Sequence, residues 1–168
     1  GLRGPTAAEW RAVAGAPAVT AEAASLTRNT LELGLGRPLP VGVFERGRSP
    51  LGGYDFYGNV WEMTAPDETG RLSALGGSFA SREVGPDARS VFVLEPGDYA
   101  EDVGARYFAD AVPYFRDFVQ AEWRASPSVV SAAVRLAASR WQPGLRAAFG
   151  EALRSAGLSS EFCELLEG

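Results

Sequence analysis

Glycine decides what most of this chain can become. Of its 20 glycines, 16 fall at or before residue 108, scattered among short apolar runs and turn residues. A glycine in a helix interior costs about 1 kcal/mol relative to alanine, so a stretch this rich in them disfavours long helices. The pattern suits a loop-rich fold with short strands. Residues 109–168 are instead rich in Ala, Leu and Arg and read as helices. The expected division is therefore residues 1–108 and residues 109–168.

The helical signals are specific. Pro5 through Ala14 reads as a helix opened by Thr6, with Glu9 three residues on, a capping box that turns Trp10 and Val13 inward. In the tail, Val112, Phe115, Val119 and Trp123 recur at helical spacing, as do Val130, Val134, Ala137 and Trp141. Ser126-Pro127 supplies an N-cap followed by proline at the first helical position. A third helix is expected from Pro143, with Leu145, Phe149 and Leu153 on one face and a stop near Gly157; a last one spans Ser159 to Leu166. These apolar stripes are expected to form core. In the first part, Val91–Leu94 is a short apolar run ended by a Pro96-Gly97 turn.

Composition removes several kinds of chemistry. The chain has no His and no Lys; all 16 basic residues are Arg, which stays protonated and cannot serve as an ordinary base. That excludes Ser–His–Asp hydrolysis, Schiff bases, lysine-dependent phosphate loops and His-ligated metals built from this chain alone. The net charge is −5 with arginines interspersed among acids, so no basic stripe for nucleic acid exists. No apolar run reaches the roughly 18 residues of a membrane span, and no signal peptide opens the sequence. The chain starts on Gly1 rather than Met, the mark expected of a sequence cut from something longer. Cys163 stands alone and is expected to be a small core residue.

Five segments then carry a resemblance. RGPTAAEW (Arg3–Trp10) is similar to R-L-P-T-E-A-E-W, PVGVF (Pro40–Phe44) to P-V-G-x-F, and GGYDFYGNVWEMT (Gly52–Thr64) to G-L-Y-D-x-x-G-N-V-W-E-W-T. GGSF (Gly76–Phe79) matches R-G-G-S-W, and VGAR (Val103–Arg106) matches G-F-R. In this order and spacing, over residues 3 to 106, they resemble the C-terminal half of the formylglycine-generating-enzyme, or sulfatase-modifying-factor, family. Physically, Gly58 and Asn59 suit a tight turn, Trp61 is expected to be a buried anchor, and Gly76-Gly77 permits close backbone approach. The resemblance implies an α+β, C-type-lectin-like fold with little regular secondary structure, here followed by a helical extension. The family's first half has no counterpart here, which implies a fragment or a partner chain that completes the domain.

The family's founding activity converts a sulfatase cysteine to formylglycine with oxygen and copper held by two cysteines between the GGS and GFR segments. Residues 79–102 contain no cysteine, so that site is missing. A second branch, the ergothioneine-type sulfoxide synthases, holds iron by histidines, of which there are none. The reading is a non-catalytic or divergent member, a pseudoenzyme acting as a binding or scaffolding module for a protein or small-molecule ligand. The alternative is part of an oxygen-dependent oxidoreductase whose metal site comes from a missing N-terminal half or a partner chain. Relatives include variable ligand-binding proteins of diversity-generating retroelements and domains of bacterial signalling proteins. Their binding stretch corresponds here to Arg82, Arg89, Phe92 and Tyr99, residue types common at recognition sites and on ordinary surfaces alike. The resemblance also suggests a structural Ca²⁺ at Asn59 and Glu62, set against a plainer reading in which Asn59 shapes a turn and Glu62 pairs with an arginine. Asp98, Glu101 and Asp102 form an acidic loop that either clasps a cation or is simply solvated.

Overall fold

The structure is a computed structural model that describes residues 1–16, 27–82, 91–95, 97–98 and 100–167. It is α+β, with small sheets and a run of C-terminal helices, and divides into two compact units. One is Arg3–Phe108; the other is Ala109–Gly168 with Gly1–Leu2.

In the first unit, helix α1 (Ala7–Ala14) starts on the capping box. The Glu9 N–H donates to the Thr6 hydroxyl at 3.2 Å, and the Thr6 N–H donates to the Glu9 carboxylate at 2.9 Å. These bonds satisfy donors that the first helical turn leaves without partners. Arg3 clamps the same carboxylate through its two terminal guanidinium nitrogens, Nη1 and Nη2, at 2.8 and 2.6 Å. The helix turns Trp10 and Ala14 inward, and Trp10 meets Phe56 and Tyr57 edge-on with ring centroids 5.4 and 5.7 Å apart. With Leu75 these residues form the unit's core.

The four-stranded sheet has the order β4 (Val91–Leu94), β3 (Leu72–Leu75), β2 (Trp61–Met63), β5 (Val103–Ala105). The β4–β3 and β3–β2 pairs are antiparallel, and β2–β5 is parallel. Leu2–Arg3 (β1) and Phe108–Ala109 (β6) pair in a second, two-stranded sheet. The loop into β2 takes two consecutive positive φ angles, 77° at Gly58 and 67° at Asn59. A Cβ at position 58 would lie 2.5 Å from the Asn29 carbonyl oxygen, so only glycine fits there.

The second unit is helical. Its first helix runs from Ala111 (α2, Ala111–Tyr114) through a wider π turn (Phe115–Val119) into α3 (Gln120–Ala125). Then come α4 (Pro127–Ala138), α5 (Pro143–Ser155) and α6 (Ser160–Glu167). Val134, Ala138, Leu153, Phe162, Cys163 and Leu166 are at the centre, with Val112, Phe115, Val119 and Trp123 packed against them. The α4 stripe closes on Ala138 rather than on the expected Ala137, which is exposed. Leu145, expected on the inner face of α5, is 54% exposed; the face that packs is Phe149, Gly150 and Leu153. Ser126 occupies the N-cap place of α4, but its hydroxyl makes no capping bond.

The end of α5 follows from Gly157. At φ 85° it lets its own N–H reach the Arg154 carbonyl, while the Leu158 N–H reaches that of Leu153, at 2.9 and 3.1 Å. This pair of bonds is a Schellman stop.

Candidate functional site

Strand β2 organises the first unit through an inverted burial pattern. Side chains alternate across a strand, and here Glu62 points in while Trp61 and Met63 point out. A carboxylate that is only 5% exposed needs partners, and Glu62 has them. The Trp10 indole N–H donates to it at 2.7 Å, and the Arg106 Nε–H at 2.8 Å. A second Arg106 N–H, on Nη2, completes a two-pronged ion pair. The same Nη2 donates to the Tyr54 carbonyl at 2.8 Å, and the guanidinium carbon lies 4.0 Å from the Phe56 ring centroid. Arg106 follows β5, so the parallel β2–β5 register brings it beside Glu62.

Asn59 serves a separate network. Its Oδ1 accepts from the Leu39 N–H at 2.8 Å and from Asn29 Nδ2 at 3.1 Å, and its Nδ2 donates to the Leu39 carbonyl at 3.2 Å. Asn59 thus ties the positive-φ turn to the loop at Leu39, and Glu62 pairs with an arginine; no partner of one is a partner of the other. Among the described residues, no group of three or more His, Cys, Asp or Glu is placed to hold a metal ion. In the acidic loop, the Asp98 carboxylate accepts from the Glu95 N–H at 2.8 Å, while Asp102 accepts from the fully buried Ser78 hydroxyl. The Asp98 bond is local, whereas the Asp102 bond ties the loop to Ser78, 24 residues earlier.

The outward face of the sheet is apolar. Cross-strand register places Met63 opposite Ala74 and Ala74 opposite Phe92, so the three share a face with Trp61. Trp61 and Phe92 stack with centroids 5.9 Å apart and planes 30° apart. Ala74 is buried beneath them, while Met63 and Phe92 are 37% and 39% exposed. Trp61, expected as a buried anchor, is therefore half-exposed, and the tryptophan that anchors the core is Trp10. Of the four residues expected at a binding surface, Phe92 lies on this face and Arg82 is exposed in the turn after Ser81. Arg89 and Tyr99 lie outside the described residues. Trp61 and Met63 were missed as surface residues; the signal was the strand alternation itself, once Glu62 is placed inward.

Among the described residues, no helix is long and apolar enough to cross a membrane. No protein-family model matches the chain, and no curated protein matches it. Solved structures do. Treponema denticola variable protein 1 superposes with a TM-score of 0.52 at 21% identity, over 64% of this chain and 47% of that one. The crystal structure of CarF gives a TM-score of 0.46 at 26% identity, over 64% and 46%. The chain thus spans about half the length of each. Over the matched region it is similar in fold to the Treponema variable protein.

Proposed function

We propose that residues 3–108 are the C-terminal portion of a formylglycine-generating-enzyme-type, C-type-lectin-like domain that acts as a binding or scaffolding module rather than a catalyst. The observation that carries this reading is the stacked Trp61–Phe92 pair, held on the outer face of the sheet with Met63 beside it. Aromatic side chains held partly in solvent on a rigid sheet are the kind of group that anchors recognition. The five ordered sequence segments and the fold similarity to a protein described as variable support the assignment. On the catalytic side, a chain with no imidazole and a single buried thiol offers no set of soft ligands for copper or iron.

The test is conversion of a cysteine-containing sulfatase peptide by the purified chain, with copper and oxygen supplied and product read by mass. The expected result is no formylglycine above the protein-free control and no stoichiometric metal after desalting. Turnover, or one copper or iron retained per chain, overturns the reading in favour of an oxidoreductase.

A further inference from the structure

The proposed function leaves the helical unit without a role, and that unit has a groove of its own. It has a volume of about 690 Å³ and is walled by residues of α3, α4 and α6. One wall is fixed in place: the Trp123 indole N–H donates to the Ser131 hydroxyl at 3.0 Å, and the Trp123 ring meets the buried Phe162 edge-on at 5.4 Å. Arg135 lines the groove from α4, and Glu161 and Glu164 line it from α6, all three exposed. Among the described residues, no ion pair or side-chain hydrogen bond engages any of these three charged groups. Arg135 and the carboxylates thus share one groove without pairing with each other.

Beside these charges, α4 carries apolar side chains into solvent. Val129, Ala132 and Leu136 stand at i, i+3 and i+7, which is one stripe of a helix. Val129 and Leu136 are 70% and 61% exposed, and Ala132, between them, also lines the groove. An alanine at the middle of such a stripe lets a second helix approach closely, because the side chains at the contact set the distance between helix axes.

A closed two-fold pair needs a patch that complements itself, since each residue that meets a second one is met by that second one in return. A patch of one sign repels its own copy. This one carries a cation and two anions, all uncommitted, beside an exposed apolar stripe, so a half-turn rotation sets opposite charges against each other twice.

We propose that the helical unit pairs with a second copy of this chain through α4, the two α4 helices crossing at Ala132 and Arg135 of each copy meeting the partner's Glu161 and the partner's Glu164. The inference is independent of the reading of residues 3–108.

The experiment is sedimentation velocity of the full chain, which is expected to show a dimer by ~100 μM. Arg135→Glu and the double variant Glu161→Arg/Glu164→Arg are each expected to weaken association at least ~10-fold, because each replaces both sets of opposite charges with like ones. Mixed in equal amounts, these two variants are expected to recover the wild-type affinity, since in the mixed pair every contact again joins opposite charges. That recovery separates lost pairing from lost folding, because a misfolded variant gains nothing on mixing. Leu136→Gln, at an exposed position, is expected to weaken the dimer at least ~5-fold. A chain that stays monomeric through ~100 μM, a dimer indifferent to either charge reversal, or a mixture no tighter than its components overturns the proposal.

Discussion

Replacing Arg106 with methionine tests the central claim about the first unit, that a buried glutamate is tolerated only because of its partners. Methionine keeps most of the apolar stem, so packing changes little, but the cation goes. Glu62 then keeps the Trp10 donor and loses the two-pronged pair. Stripping one partner from a buried pair costs about 3–5 kcal/mol. The Arg106 side chain is 25% exposed, which places the value at the lower end, about 3 kcal/mol. Loss of the contact with the Phe56 face adds roughly 0.5–1 kcal/mol. The expected loss is thus about 3–4 kcal/mol. Glu62→Gln preserves shape and an acceptor for Trp10, so about 1.5–2 kcal/mol is expected. The double variant is expected to lose no more than Arg106→Met alone, a coupling of at least ~1.5 kcal/mol. The assay is urea unfolding followed at the four indole N–H resonances, because Trp10 and Trp61 report on one unit and Trp123 and Trp141 on the other. Only the first two should move to lower urea. A loss below ~1 kcal/mol, or strict additivity, refutes the argument.

Two further outcomes follow from single contacts. The Arg3 side chain, then the Thr6 backbone N–H, hold the Glu9 carboxyl down at about 2 against an ordinary value of 4.5. A lowered carboxyl pKa stabilises the folded state fully above pH 4.5, and that contribution is lost as pH falls toward 2; an NMR titration should give a Glu9 midpoint near 2 that rises in Arg3→Gln, and a midpoint of 4 or above contradicts it. In the second unit, Leu153 is fully buried, so Leu153→Ala should cost that unit about 2–5 kcal/mol, shifting the Trp123 and Trp141 resonances in urea, whereas less than ~1 kcal/mol would mean the core collapses around the gap.

Local signals translated well from sequence to structure; long-range pairings did not. The Thr6–Glu9 box, Pro127 and Pro143 at helix starts, and Gly157 at a helix end are each set by a handful of neighbouring residues, and each appears where the spacing puts it. The misplaced face positions, Ala137 and Leu145, have a different cause. On a helix of 3.6 residues per turn a neighbour one position away is a near-equal candidate, and the choice belongs to whatever packs opposite. The Trp10–Glu62 bond joins residues 52 apart and the Arg106–Glu62 pair residues 44 apart. No periodicity links them, and only the parallel pairing of β2 with β5 brings Arg106 to the carboxylate.

That pairing also explains the aromatic surface. In a strand reading Trp-Glu-Met, alternation forces a choice: either the glutamate faces the core or the two apolar residues do. Burying a tryptophan or methionine contributes roughly 1.5–3 kcal/mol each, so hydrophobicity alone selects the register that puts Trp61 and Met63 inside. A one-residue slip would deliver it. The observed register is the opposite one, and the Trp10 and Arg106 donors are what offset its cost. The chain thus gives up part of its stability to keep an apolar face turned outward, with Phe92 stacked against Trp61 from edge strand β4, across β3. A fold selected for stability alone gains nothing from that arrangement. Under the binding role proposed above, an exposed aromatic platform is what that arrangement would supply, and the buried Glu62 holds the register that exposes it.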